Sequence, residues 1–203
     1  MSAVRILRHG GVEVLERADV PTPDPGAGEV LVRVRAAALN NTDLWTREGA
    51  YGDPEDPEAR RGWRGPIDFP RIQGADAVGE VVAVGAGVDP GLVGTRVLVD
   101  PAVYDGQARD AHPVGLMGSE RDGAYAELVT APAAQVHDVG RSPLTDEQLA
   151  SLPTAYGTAL GMIERGGLRR GETVLVTGAS GGVGLAAVQI ARARGARVLA
   201  ISS

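Results

Sequence analysis

The chain has 203 residues, 43% hydrophobic and 23% charged, with a net charge of −6; this is the balance of a globular protein with no basic stripe for nucleic acid. It has no cysteine, and all twenty basic residues are arginine, which excludes disulfides, thiolate nucleophiles, cysteine-held zinc, lysine Schiff bases and a Walker A loop. No apolar run nears the ~18 residues of a membrane span and the first residues lack a signal-peptide core, so a cytoplasmic protein without a membrane partner is expected.

Up to about residue 140 the chain reads as short, valine-rich strands separated by glycine and proline turns, at 4–7, 12–16, 30–38, 77–84, 96–99, 125–130 and 135–138. Pro21, Pro23 and Pro25 make a stiff connector. Residues 50–71 hold Pro54, Pro57, Pro66 and Pro70 and read as a long surface loop, with Arg60 and Arg61 as solvated charge. From about 141 the pattern changes. Thr145 caps a helix at 146–152, and a second helical period runs over 154–165. Residues 172–177 form an apolar run of the kind buried in a parallel sheet. A glycine-rich turn leads into a helix over 182–194, with Val183, Ala186, Ala187, Ile190 and Ala191 on one face. Gly195 ends it and 197–201 forms the next strand, completing one βαβ unit. The expected domains are therefore 1–140 and 141–203. A doubly wound dinucleotide domain has about six strands, so the chain reads as the N-terminal portion of a longer protein, inactive and poorly soluble by itself.

The strongest chemical signal is the turn Gly178, Ala179, Ser180, Gly181, Gly182, Val183, Gly184, placed between a strand and a helix. Glycine permits the tight turn and a close approach of backbone to a pyrophosphate. The helix start adds free N–H groups and the positive end of the dipole.

With this loop in place, the sequence resembles the medium-chain dehydrogenase/reductase superfamily. Residues 32–43 resemble the end of its second long barrel strand, and 74–85, with Gly74, Gly79 and Gly85, its glycine-spaced strand pair. Residues 122–127 resemble a later barrel strand, and 153–159 the helix start before the cofactor domain. The resemblance implies an α+β then α/β chain: a GroES-like irregular β-barrel followed by the first βαβ unit of a Rossmann fold, with the active site in the cleft between them.

The zinc-bearing branch has ligands at the positions of Asn40, Ala75 and Thr154, and none of these three supplies a thiolate or imidazole. His9, His112 and His137 are scattered without ligand spacing, so no metal is expected. The zinc-free branch holds NADPH-dependent quinone oxidoreductases and enoyl or alkenal reductases. By that resemblance Asn40 is a neutral hydrogen-bonding group and Thr42 a hydroxyl at the proton-relay position. Trp45 and Tyr51 line the pocket or plug the barrel, and Thr158 contacts the nicotinamide amide. Ser202 and Ser203 end the second strand where NAD-binding members carry an acidic residue, which favours NADPH. The expected function is zinc-independent reduction of a quinone, enone or related carbonyl by hydride transfer. A zinc-free alcohol or ketone dehydrogenase and a non-catalytic GroES-like binding module are the alternatives. The expected partners are a small-molecule substrate and, at full length, a second copy in a homodimer.

Overall fold

The structure, a computed structural model, describes residues 1–52, 56, 58–106 and 111–202. Pro54, Pro57 and Ser203 therefore lie outside the described residues. Two compact units are present, Met1–Ser151 and Leu152–Ser203.

The first unit carries β1 (Ser2–Ile6), β2 (Leu15–Asp19), β3 (Glu29–Ala38), α1 (Asn41–Glu48), β4 (Arg71–Ile72), β5 (Asp76–Val84), β6 (Arg96–Val99), β7 (Ala102–Tyr104), β8 (Pro113–Leu116), β9 (Leu128–Pro132), β10 (Val136–Asp138) and α2 (Asp146–Ala150). A five-stranded antiparallel sheet, in the order β10-β6-β5-β3-β9, forms its centre. Val30 and Val32 of β3, Ala77 and Val81 of β5, Val97 and Val99 of β6, and Val129 and Ala131 of β9 alternate onto one face and close a core with Met117 and Ala124. Gly79 lets β3 and β5 approach there, since a Cβ on it would stand 2.1 Å from the Arg33 carbonyl oxygen. A second sheet, β2-β1-β4, and the β7–β8 hairpin complete the unit.

Several elements depart from the sequence expectation. Val12–Val14 is a 3-10 turn rather than the start of a strand, and β2 begins only at Leu15. Residues 125–127 run beside β1, with Val4 N–H donating to Tyr125 O at 2.7 Å, and the strand expected at 125–130 starts at Leu128. The segment at 32–43, expected to end a strand, turns at Asn40 into α1. Within 50–71, Arg61 N–H donates to Gly49 O at 3.2 Å. Trp63 and Arg64 N–H donate to Ser119 Oγ and Glu120 Oε1 at 2.9 and 2.8 Å. This loop is thus stitched to the body at its neck.

Helix α2 begins at the expected cap: Thr145 Oγ1 accepts from Gln148 N–H at 3.3 Å while Gln148 Oε1 accepts from Thr145 N–H at 3.0 Å. Arg96 on β6 donates to Asp146 at 2.7 Å and Leu144 O at 2.9 Å. These ties keep the helix with the sheet, so the units divide after Ser151 and not at 140.

The second unit consists of α3 (Pro153–Arg165), β11 (Thr173–Thr177), α4 (Gly182–Ala193) and β12 (Arg197–Ile201). β11 and β12 are parallel, joined through α4. Ala155, Ala159 and Ile163 form the buried stripe of α3, at helical spacing. α3 meets α4 through Tyr156 OH, which donates to Gln189 Oε1 at 2.8 Å, and an Arg194–Glu164 ion pair. Leu175, Leu199 and Ile201 are exposed, so the apolar run at 172–177 is not buried on both faces in this unit.

Candidate functional site

The phosphate-type loop takes the form its glycines allow. Gly178 leaves β11 with φ +63°, and Gly181 N–H donates back to Gly178 O at 3.0 Å. Gly181 precedes α4 in extended conformation, and Gly182 is the first residue of the helix. Gly184 packs under the turn: a Cβ there would lie 2.1 Å from Gly178 O and 2.8 Å from Ala179 Cα. Only glycine lets the helix start this close to the strand end. Gly178, Ser180, Gly181 and Gly182 are exposed, Ala179, Val183 and Gly184 half-buried. The first-turn N–H groups of α4 have no carbonyl one turn back. An open rim of this kind, with a Cβ at Gly178 meeting empty space, fits a dinucleotide pyrophosphate. Thr158 lies exposed on α3 in the same unit, and Ser202 follows β12, also exposed.

In the first unit, Thr42, Trp45 and Tyr51 come together around α1. Thr42 Oγ1 and Tyr51 OH are 2.6 Å apart, and the Trp45 and Tyr51 rings meet edge to face at 5.7 Å. Burial pushes the Tyr51 phenol up, with the negative charges of Asp43 and Glu120 adding to the shift and the Thr42 hydrogen bond opposing it. Asn40 stands at the N-cap of α1. Its side-chain amide donates to Asp76 Oδ2 at 3.0 Å and its backbone N–H to Asp43 Oδ2 at 2.8 Å. These bonds start α1 and tie it to β5.

Sequence reasoning missed the groups that build this corner. Asp43 is 5% exposed, and its other oxygen accepts Ala75 N–H at 3.1 Å, while Gln73 Nε2 donates to Asp43 O at 2.9 Å. The Tyr125 phenol lies between the Asp43 carboxylate and Ala38 O, 3.2 Å from the latter. Burial pushes the Asp43 carboxyl up against these hydrogen bonds; burial and the carboxylates of Asp43 and Asp76 push Tyr125 up as well. A signal was available: Asn40 followed three residues later by Asp43 is a helix N-cap and N3 pair.

None of the three residues at the positions where the resemblance puts zinc ligands offers a thiolate, imidazole or carboxylate. An amide engaged with Asp76, the methyl of buried Ala75 and the hydroxyl of Thr154 stand at the three positions. Among the described residues no group of three or more His, Asp or Glu side chains could hold a metal ion. His9 Nδ1 instead lies 3.1 Å from Thr46 O at the end of α1. Nor is any described helix long and apolar enough to cross a membrane. A cavity of ≈ 610 Å³ elsewhere in the first unit, bordered by Arg5, Pro23, Arg71, Arg121 and Leu128, contains none of the expected site residues.

Comparison with known proteins follows the same lines. Residues 26–141 match the alcohol dehydrogenase GroES-like domain. An acryloyl-coenzyme A reductase of Metallosphaera sedula is 35% identical over 100% of this chain and 59% of its own length. The Homo sapiens quinone oxidoreductase is 34% identical over 98% of this chain and 52% of its own. Among solved structures, an alcohol dehydrogenase-type protein of Sinorhizobium meliloti 1021 is 51% identical with a TM-score of 0.92, over 100% of this chain and 57% of that one. The chain thus spans between half and three-fifths of the length of these relatives. By the residues matched, this chain belongs to the alcohol dehydrogenase GroES-like domain family, within the medium-chain dehydrogenase/reductase superfamily.

Proposed function

We propose that the protein is a zinc-independent, NADPH-dependent oxidoreductase that reduces a quinone, enone or related conjugated carbonyl. The observation that carries the reading is the glycine turn ahead of α4, where Gly184 lies so close to Gly178 O that no side chain could be accommodated. The names of the relatives, quinone oxidoreductase and acryloyl-coenzyme A reductase, support the choice of substrate class.

In this reading the turn at 178–184 holds the pyrophosphate, Thr158 the nicotinamide amide, and Ser202 the 2′-phosphate. Ser203 shares that last role in the sequence reading. The bound dinucleotide supplies the hydride. Trp45 offers an exposed aromatic face to a flat substrate, and the Thr42–Tyr51 hydroxyl pair offers polar contact. Asn40 acts by holding the start of α1 in place. The donor set at Asn40, Ala75 and Thr154 supports a reaction without zinc. The proposed partners are the small-molecule substrate and a second copy of the protein.

Fluorescence titration with NADPH, followed by turnover of quinones, enones and simple aldehydes or alcohols, tests the proposal. Saturable NADPH binding with reduction of the conjugated substrates is expected. Absence of nucleotide binding would leave a binding module, and turnover confined to alcohols and simple ketones would leave the dehydrogenase alternative.

A further inference from the structure

The ≈ 610 Å³ cavity of the first unit is large enough for a small organic molecule, and none of the residues given a nucleotide or substrate role above borders it. Its walls are of two kinds. Val103 and Val114 of the β7–β8 hairpin and Leu128 of β9 supply apolar surface, and Arg5, Arg71 and Arg121 bring three guanidinium groups to it. Val114 is 50% exposed, so the apolar wall is open rather than packed.

The acceptors around these guanidinium groups leave donors over. Arg5 Nε donates to Glu16 Oε2 at 2.7 Å, and Arg121 Nη2 donates to Glu29 Oε1 and Thr130 O, each at 2.9 Å. Arg71 Nη1 donates to Asp122 Oδ1 at 3.0 Å, the same oxygen that accepts Ile72 N–H at 3.0 Å. Arg71 Nε is buried with no partner among the described residues, on a side chain that is 12% exposed. A buried donor without an acceptor is rare in a folded protein and asks for one. Glu120, also on the wall, does not supply it. Its oxygens accept Arg64 N–H at 2.8 Å, the Ser119 hydroxyl at 3.0 Å and Leu116 N–H at 2.9 Å.

We infer that this cavity is a second ligand site for a small organic carboxylate with an apolar body, the carboxylate on the Arg71 guanidinium and the body against Val103, Val114 and Leu128. A planar guanidinium meets a carboxylate through two parallel N–H···O bonds, and the unpartnered Nε belongs to one such fork. Nε is shielded from solvent, so the Arg71 side chain turns as the ligand seats; Asp122 keeps the Ile72 N–H meanwhile. Arg5 and Arg121 add positive charge to the wall. The site stands apart from the chemistry proposed above and does not depend on it.

Octanoate is the probe, with octanamide and octanol as neutral molecules of the same chain length. Isothermal titration of the full-length protein should show saturable octanoate binding at one site per chain, and roughly tenfold weaker binding of both neutral molecules. Arg71→Met keeps the apolar stem and removes the donors. It should weaken octanoate roughly tenfold and leave octanol unchanged. Val114→Asp changes an exposed position that folding tolerates, and should weaken octanoate to a similar degree by placing a like charge on the apolar wall. Arg165→Met, on an exposed part of α3, should bind octanoate as the wild type does. Equal binding of octanoate and octanamide would overturn the assignment. Unchanged octanoate affinity in both Arg71→Met and Val114→Asp, or an equal loss in Arg165→Met, would do the same. Absence of octanoate binding, as when another part of the chain or a second copy fills the cavity, would also overturn it.

Discussion

Asp43 holds Ala75 in place: its Oδ1 accepts the Ala75 N–H at 3.1 Å while Oδ2 takes the Asn40 N–H at 2.8 Å. One buried carboxylate thereby fastens the first turn of α1 to the approach of β5, and the corner that carries Thr42 and Trp45 depends on it.

Asp43→Asn keeps the shape but has one acceptor oxygen where the carboxylate has two. One buried N–H then faces an NH₂ group, at a cost of about 1–3 kcal/mol. The pH dependence has a defined sign. Burial raises the Asp43 carboxyl above its ordinary value of 3.8, so its contribution to stability is fully present below that value and is lost as the pH rises through the raised one. The deficit of Asp43→Asn against the wild type should therefore be largest near pH 3.8 and below, and narrow toward neutrality. Urea midpoints of both proteins across that range check it; a deficit that widens with pH would contradict the burial argument.

The glycines separate into those the fold needs and those it tolerates. An alanine at Gly184 would press its Cβ into the Gly178 carbonyl oxygen at 2.1 Å, a backbone atom that cannot swing aside as a side chain could. Such overpacking costs ~1–3 kcal/mol, and the turn would shift away from the pyrophosphate. Gly161 lies inside α3, and a Cβ there meets nothing within 4 Å. Gly161→Ala should stabilise by roughly 0.5–1 kcal/mol through helix propensity alone. Thermal denaturation of the two variants, with nucleotide titration of each, should show the opposite signs.

How much of this was legible in the sequence depends on the range of the interaction. The βαβ unit was legible because its signals are local: an apolar run, a glycine turn, an alanine stripe at helical spacing, a closing glycine. The sheet strands at 30–38, 77–84 and 96–99 were legible by their valine content and the glycine and proline turns between them. Helix α1 was not, because Asn41–Glu48 is polar on balance, and its apolar residues Leu44 and Trp45 face outward. Its stability comes from Asp43, whose partner Ala75 is 32 residues away. The strand at 125–130 slipped for a related reason: Tyr125 has a strand-forming ring, but it serves the Asp43 corner, and pairing with β3 starts at Leu128. Asn40 was read from its position in the family pattern, and its commitment to Asp76 appears only when β5 is folded beside it.

Metal content gives a prediction that needs no substrate. With an engaged amide at Asn40, a methyl at Ala75 and a hydroxyl at Thr154, the purified protein should carry no stoichiometric zinc after dialysis, and a chelator should leave its thermal transition in place. One tightly held zinc per chain would remove the zinc-independent reading.

Nucleotide preference should turn on the residue after β12. That strand ends at Ile201 and is followed by exposed Ser202, where a carboxylate would repel a 2′-phosphate and a hydroxyl can donate to it. A hydrogen bond to a charged group is worth ~1–3 kcal/mol, so the full-length protein should bind NADPH more tightly than NADH by about that amount. Ser202→Ala removes the donor alone and should narrow the gap without inverting it. Ser202→Asp adds a like charge beside the phosphate while offering an acceptor to a ribose hydroxyl, so NADPH affinity should fall and NADH affinity hold or rise. Paired fluorescence titrations of the three proteins decide the matter, and equal affinities in the wild type would mean that Ser202 does not read the 2′ position.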